Sequence, residues 1–209
     1  MNAHPVQLQG TRLARWLLAC WGWRVEFNGL PGLQGIFVVY PHTSNWDFVV
    51  AVMAKWSIGV QLQFWGKNSL FRIPLFGPWL RWIGGIPVDR HVPGGLVGQA
   101  IEAFASAKSR NHYFWLGLSP EGTRKKAPGW RSGFYKTAVH ANVPVCLVKL
   151  DFALRRIDAT HFLHLSGDAD RDFSRIAEFF SSVKGCIPEN ATPVVLLADR
   201  TNPPSHTSI

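Results

Sequence analysis

Cysteine is scarce in this chain, with Cys20, Cys146 and Cys186 set far apart in 209 residues. An odd, scattered trio forms neither a disulfide framework nor a metal-ligand pattern, and it suits a reducing compartment. Charge is sparse too, at 17% of residues, and acid is sparser than base, with 13 Asp and Glu against 22 Lys and Arg. Internal repeats and low-complexity stretches are missing. So are a Walker-type loop and a G-x-G-x-x-G after a strand, which removes support for nucleotide binding of those kinds.

What remains is apolar and basic. With 47% hydrophobic residues, the length suits one well-buried domain, 1–209, and is short for two. The net charge of +9 and pI near 9.9 call for an anionic partner: nucleic acid, anionic lipid or a phosphorylated small molecule. Ten tryptophans accompany that charge. Trp with Arg and Lys composes a surface that rests at a lipid headgroup layer, although Trp also stacks on bases.

Along the chain, residues 11–24 predict a short helix with Arg12, Arg15, Ala19 and Gly22 on one narrow stripe and Leu13, Trp16, Leu17, Leu18, Cys20, Trp21 and Trp23 around it. It is shorter than the roughly 20 residues a bilayer span needs and is followed by no small-residue cleavage site, so neither a span nor a signal peptide is expected. Two readings stay open: an interfacial anchor lying in one leaflet, or a terminal helix docked on the core. Strands are expected at 25–27, 36–40, 61–65, 84–90, 112–118, 143–148, 162–165 and 194–197, and helices at 48–56, 94–108, 132–142 and 174–184. Two short helical pieces are expected within 70–83, and a disordered tail at 201–209. The alternation predicts an α/β fold, a mixed, largely parallel central sheet flanked by helices, to which the anchor reading of 11–24 adds a short N-terminal membrane-contact helix.

Pro41-His42-Thr43-Ser44-Asn45-Trp46-Asp47 lies between an apolar run and a long apolar helix, where α/β sheets keep their chemistry. A carboxylate beside a histidine fixes the imidazole tautomer and stabilises its protonated form, as a general base requires. On one continuous helix His42 and Asp47 would diverge by about 140°, at roughly 100° per residue. They can meet if His42 precedes the helix and Asp47 sits in its first turn. Ser44-x-x-Asp47 reads as a capping box that permits this. The same pattern also describes a plain helix cap beside a turn histidine.

Further strand ends carry Gly85-Ile86-Pro87-Val88-Asp89-Arg90, Glu121-Gly122-Thr123-Arg124 and Val143-Pro144-Val145. In this order, over residues 35–150, the four segments resemble the blocks of the glycerolipid acyltransferase family, whose best-known members acylate 1-acylglycerol 3-phosphate to phosphatidic acid. The resemblance implies His42 as general base oriented by Asp47, with Arg90, Glu121, Gly122, Thr123 and Arg124 binding the acceptor. In that picture Arg90 and Arg124 take the phosphate bidentately. Asp89 would be a structural partner for an arginine.

It further implies an acyl-CoA or acyl-carrier-protein cosubstrate, no other cofactor, no metal and no nucleic acid. The partners become a thioester donor, a phosphate-bearing lyso-glycerolipid and an anionic membrane surface. The expected location is the cytoplasmic face of the membrane, peripheral or monotopic. Ser119 stands where the family usually has an aromatic, and Lys125 and Lys126 add charge after Arg124. A nonenzymatic basic, Trp-rich module binding anionic membrane or nucleic acid is the competing reading.

Other chemistries are set aside. His164 and Asp168 form an H-x3-D without a supporting motif, and His161 and His164 would face opposite sides of a strand, which suits no shared metal. Gly117-x-Ser119-x-Glu121 lacks the closing glycine of a nucleophile elbow.

Overall fold

The computed structural model describes residues 4–88 and 95–197. The expected tail at 201–209 and the Asp89-Arg90 dipeptide therefore lie outside the described residues. In chain order the elements are α1 (Arg12–Cys20), β1 (Arg24–Glu26), β2 (Gln34–Tyr40), α2 (Asn45–Ile58), β3 (Leu62–Lys67), α3 (Asn68–Phe71), α4 (Phe76–Trp82) and β4 (Gly85–Val88). They continue as α5 (Gly95–Ser109), β5 (Phe114–Leu118), α6 (Gly133–Ala141), β6 (Val145–Asp151), β7 (Arg156–Leu163) and α7 (Ala169–Phe180).

The seven strands form one sheet in the order β1-β7-β6-β2-β5-β3-β4. Every neighbouring pair is parallel except β6 with β7, so the largely parallel α/β architecture expected from the sequence is the one observed. Side chains alternate across β2: Ile36 and Val38 join Phe104, Leu116, Phe134 and Ile176 beneath α5, α6 and α7, while Phe37 joins Leu18, Val50, Ala54 and Trp115 beneath α1 and α2. A smaller cluster of Val52, Phe71, Leu80 and Ile83 seats α3 and α4 near β3 and β4.

Three elements depart from expectation. β7 begins six residues earlier than the apolar run at 162–165, because Ile157, Ala159 and Leu163 point inward among the polar Asp158, Thr160 and His161. A register shift against β6 between Leu147 and Lys149 helps to hide that alternation from a simple period-two reading. α7 starts five residues earlier than expected. Asp168, weighed above as half of an H-x3-D, is its N-cap and accepts from Arg171 N–H at 3.1 Å. Residues 194–197 make only a bridge from Leu196 to Trp130, not a further strand.

Helix α1 docks by a narrow stripe, with Ala14 and Leu18 buried, and exposes Leu13, Trp16, Leu17 and Trp21. Among the described residues no helix is long and apolar enough to cross a membrane.

Candidate active site

β2 and β5 are neighbouring parallel strands, so the turn after Tyr40 and the loop after Leu118 leave the sheet side by side at its C-terminal edge. Ser44 is the extended N-cap of α2. Its hydroxyl accepts from the first turn while Asp47 reaches back to the Ser44 N–H at 2.7 Å, completing the capping box. This local geometry turns Asp47 towards the residue before the helix. Asp47 Oδ2 lies 3.2 Å from His42 Nδ1 and also accepts from Thr43 N–H.

The carboxylate is 2% exposed and the imidazole 29%. In the tautomer with the ring proton on Nδ1, the nitrogen facing Asp47, Nε2 keeps its lone pair. Asp47 Oδ1 is buried and without a hydrogen-bond partner among the described residues. The pair predicted from H-x4-D is thus brought together, with the ring open to solvent on one side.

The third block is distributed differently from a simple acceptor cradle. Glu121 is 1% exposed. One oxygen accepts from the His42 main-chain N–H and, at 3.4 Å, from Ser119 Oγ; the other accepts from Thr192 N–H at 3.2 Å. Burial pushes its carboxyl up from the ordinary range, opposed by these donors. Gly122 has φ +63°, a left-handed conformation that suits glycine, and a Cβ there would come within 2.8 Å of Arg131 Nε. The space left by the missing side chain is therefore occupied by Arg131. Thr123 Oγ1 accepts from Lys125 N–H at 3.2 Å and shapes the loop. Arg124, Lys125 and Lys126 are exposed. Arg90 lies outside the described residues.

Val143-Pro144-Val145 is elsewhere. Val145 pairs with Ile36 at the start of β2, so this segment belongs to the opposite edge of the sheet, with Val143 and Val145 in the core. Sequence reasoning missed Arg131 and Thr192, which carry no motif and follow no period. Among the described residues no group of three His, Cys, Asp or Glu is placed to hold a metal ion.

The family model described as Acyltransferase matches residues 24–150, more than half of the chain. The chain belongs to the acyltransferase family. The matched segment of this acyltransferase contains His42, Asp47 and the whole loop 119–126. No curated protein matches the chain. Among solved structures it is similar to the crystal structure of the 1-acyl-sn-glycerophosphate (LPA) acyltransferase PlsC from Thermotoga maritima. That likeness has 18% identity and a TM-score of 0.49, covering 79% of this chain and 73% of the other.

Proposed function

We propose that this acyltransferase moves a fatty acyl group from a thioester of coenzyme A or acyl carrier protein to a hydroxyl of a glycerolipid-like acceptor, by default 1-acylglycerol 3-phosphate, giving phosphatidic acid. The observation that carries the reading is the His42 Nδ1 to Asp47 contact of 3.2 Å with the ring still partly exposed. Nε2 takes the acceptor's hydroxyl proton as the oxygen attacks the thioester carbonyl. The tetrahedral adduct then collapses, the C–S bond breaks, and the leaving sulfur takes the proton from the imidazolium, yielding ester and free thiol. Asp47 holds the ring and stabilises its cationic form throughout. No covalent enzyme intermediate is needed, because the thioester is already activated.

Arg124, exposed on the loop beside the His42 turn, is the candidate clamp for the acceptor phosphate, together with Arg90. An anionic membrane surface completes the partners. The support is the crowding of exposed Trp16, Trp21, Trp46, Trp79 and Trp82 into a part of the chain, residues 4–88, where seven Lys and Arg face two acids. One of those acids, Asp47, is buried, and the other, Glu26, is paired with Arg156.

Free-thiol release from acyl-CoA and acyl-carrier-protein donors, with lyso-lipid acceptors, tests the proposal. His42→Ala is expected to fold and to lose about 10² to 10⁴ in kcat. Unchanged turnover in that variant would refute the assignment.

A further inference from the structure

We infer that Glu121 and Thr192 are positioning residues for His42, with the segment 185–192 acting as a brace behind the catalytic turn. The inference rests on the acyl-transfer reading for its kinetic consequence, and on hydrogen bonds alone for its geometry.

His42 is held twice, by Asp47 at the ring and by Glu121 at the main chain. Glu121 is 1% exposed, and three donors converge on its two oxygens: the N–H groups of His42 and Thr192 and the Ser119 hydroxyl. An ionised carboxylate offers about four lone-pair sites. Three are taken, and the burial leaves little surface for an acceptor hydroxyl to reach. A carboxylate this deeply buried is tolerable only because it is so well bonded.

Thr192 is fully buried and uses all its polar groups. Its N–H donates to Glu121, its carbonyl accepts from Tyr40 Oη at 2.9 Å, and its hydroxyl accepts from Ala127 N–H at 3.1 Å. One residue therefore ties the end of β2, the buried glutamate and the loop that carries Arg124. A second tie lies on the other side of His42, where Ile187 N–H donates to Thr43 Oγ1 at 3.2 Å. Gly185 packs so closely that a Cβ there would lie 2.7 Å from Thr43 Oγ1 and 3.0 Å from Pro41 Cγ. These bracing residues lie beyond the segment 24–150 that matches the family.

A general base works only within hydrogen-bonding reach of the proton it removes, and a displacement of about 1 Å can cost 10²-fold in rate. Loosening the brace should therefore lower kcat and spare acceptor binding. Kinetics and NMR of the full chain test this in Glu121→Gln, Thr192→Val and Thr192→Ser, with the folded state of each checked by circular dichroism. In Glu121→Gln, kcat should fall about 10- to 100-fold while KM for the phosphate-bearing acceptor stays within about two-fold. The His42 amide proton, shifted downfield by a carboxylate acceptor, should move upfield. Thr192→Val keeps the main-chain bonds to Glu121 and Tyr40 and removes only the bond from Ala127 N–H, so it should lower kcat less than Glu121→Gln does, and Thr192→Ser, which keeps the hydroxyl, should restore it.

A raised KM at unchanged kcat in Glu121→Gln would overturn the inference and place the glutamate on the acceptor. An unmoved His42 amide proton would overturn it as well. If Glu121→Gln does not fold, the Val and Ser pair at Thr192 decides alone. If the wild-type chain releases no thiol with any donor and acceptor while the amide proton shifts as described, the acyl-transfer reading fails and the brace stands.

Discussion

At Asp47 a single oxygen, Oδ2, accepts from the N–H groups of Thr43 and Ser44 and lies 3.2 Å from His42 Nδ1, so the carboxylate that caps α2 also faces the imidazole. Capping and catalysis can be separated by mutation. Ser44→Ala removes only the hydroxyl cap and should cost about 0.5–2 kcal/mol of stability in urea unfolding, with turnover near wild type. Asp47→Asn keeps an oxygen for the main-chain donors but not the negative charge that balances an imidazolium. It should retain most of the stability and lose about 10²-fold or more in kcat. Equal losses of turnover in the two variants would show that the turn, not the carboxylate's charge, sets the rate. Arg124→Ala should raise KM for a phosphate-bearing acceptor about 10- to 100-fold, through loss of a charged hydrogen bond worth about 1.5–3 kcal/mol. A fall in kcat alone would remove Arg124 from the phosphate. That His42 and Asp47 could meet was legible because the capping box is a local signal, confined to four residues, while the roles expected of them came from the resemblance. The ties from Thr192 and Ile187 were not, since hydrogen bonds spanning 71 and 144 positions leave no period in the sequence.

Exposed aromatic rings stand on each of α1, α2 and α4. Trp21 meets Trp46 edge to face at 5.9 Å, Phe48 meets Trp79 at 6.3 Å, and Trp56 meets Trp82 at 5.5 Å, which links α1 through α2 to α4. Arg12, Arg15, Arg72 and Arg81 are exposed on or beside these elements. The two readings left open for residues 11–24 turn out to be compatible in geometry: Ala14 and Leu18 dock the helix, and its larger apolar flank stays outward. On α2, Trp46 and Val49 are exposed beside the His42 turn. On the proposed reading a bilayer covers these exposed side chains, and His42 meets its acceptor at the lipid surface. Trp16→Ala with Trp82→Ala should leave the melting temperature almost unchanged, because these rings are 61% and 72% exposed. Sedimentation with phosphatidylglycerol vesicles should weaken about ten-fold per ring, for about 1–2 kcal/mol of burial each. Undiminished vesicle binding, or a change in oligomeric state instead, would assign the rings to another occupant.

On the proposed reading the charge of +9 acts with those rings over the whole molecule. Raising salt from about 0.05 to about 0.5 M should release the protein from anionic vesicles, since screening shortens the reach of each Lys and Arg. Vesicles of neutral lipid should show little salt dependence. Retention on anionic vesicles at high salt would mean that apolar insertion alone holds the protein.

The topology sorts the four sequence blocks. Parallel pairing of β2 with β5 puts the first and third at one edge of the sheet, and the same pairing with β6 puts Val143-Pro144-Val145 at the other. Sequence by itself determined the alternating α/β order, the capping box and the H-x4-D pair, because each depends on neighbours a few residues apart. Only the tertiary structure decided that Glu121 faces the His42 main chain, that Arg131 fills the space beside Gly122, and that the 185–192 segment closes over the turn. Those contacts join stretches far apart in the chain, and they form only where sheet register and helix packing bring the stretches together.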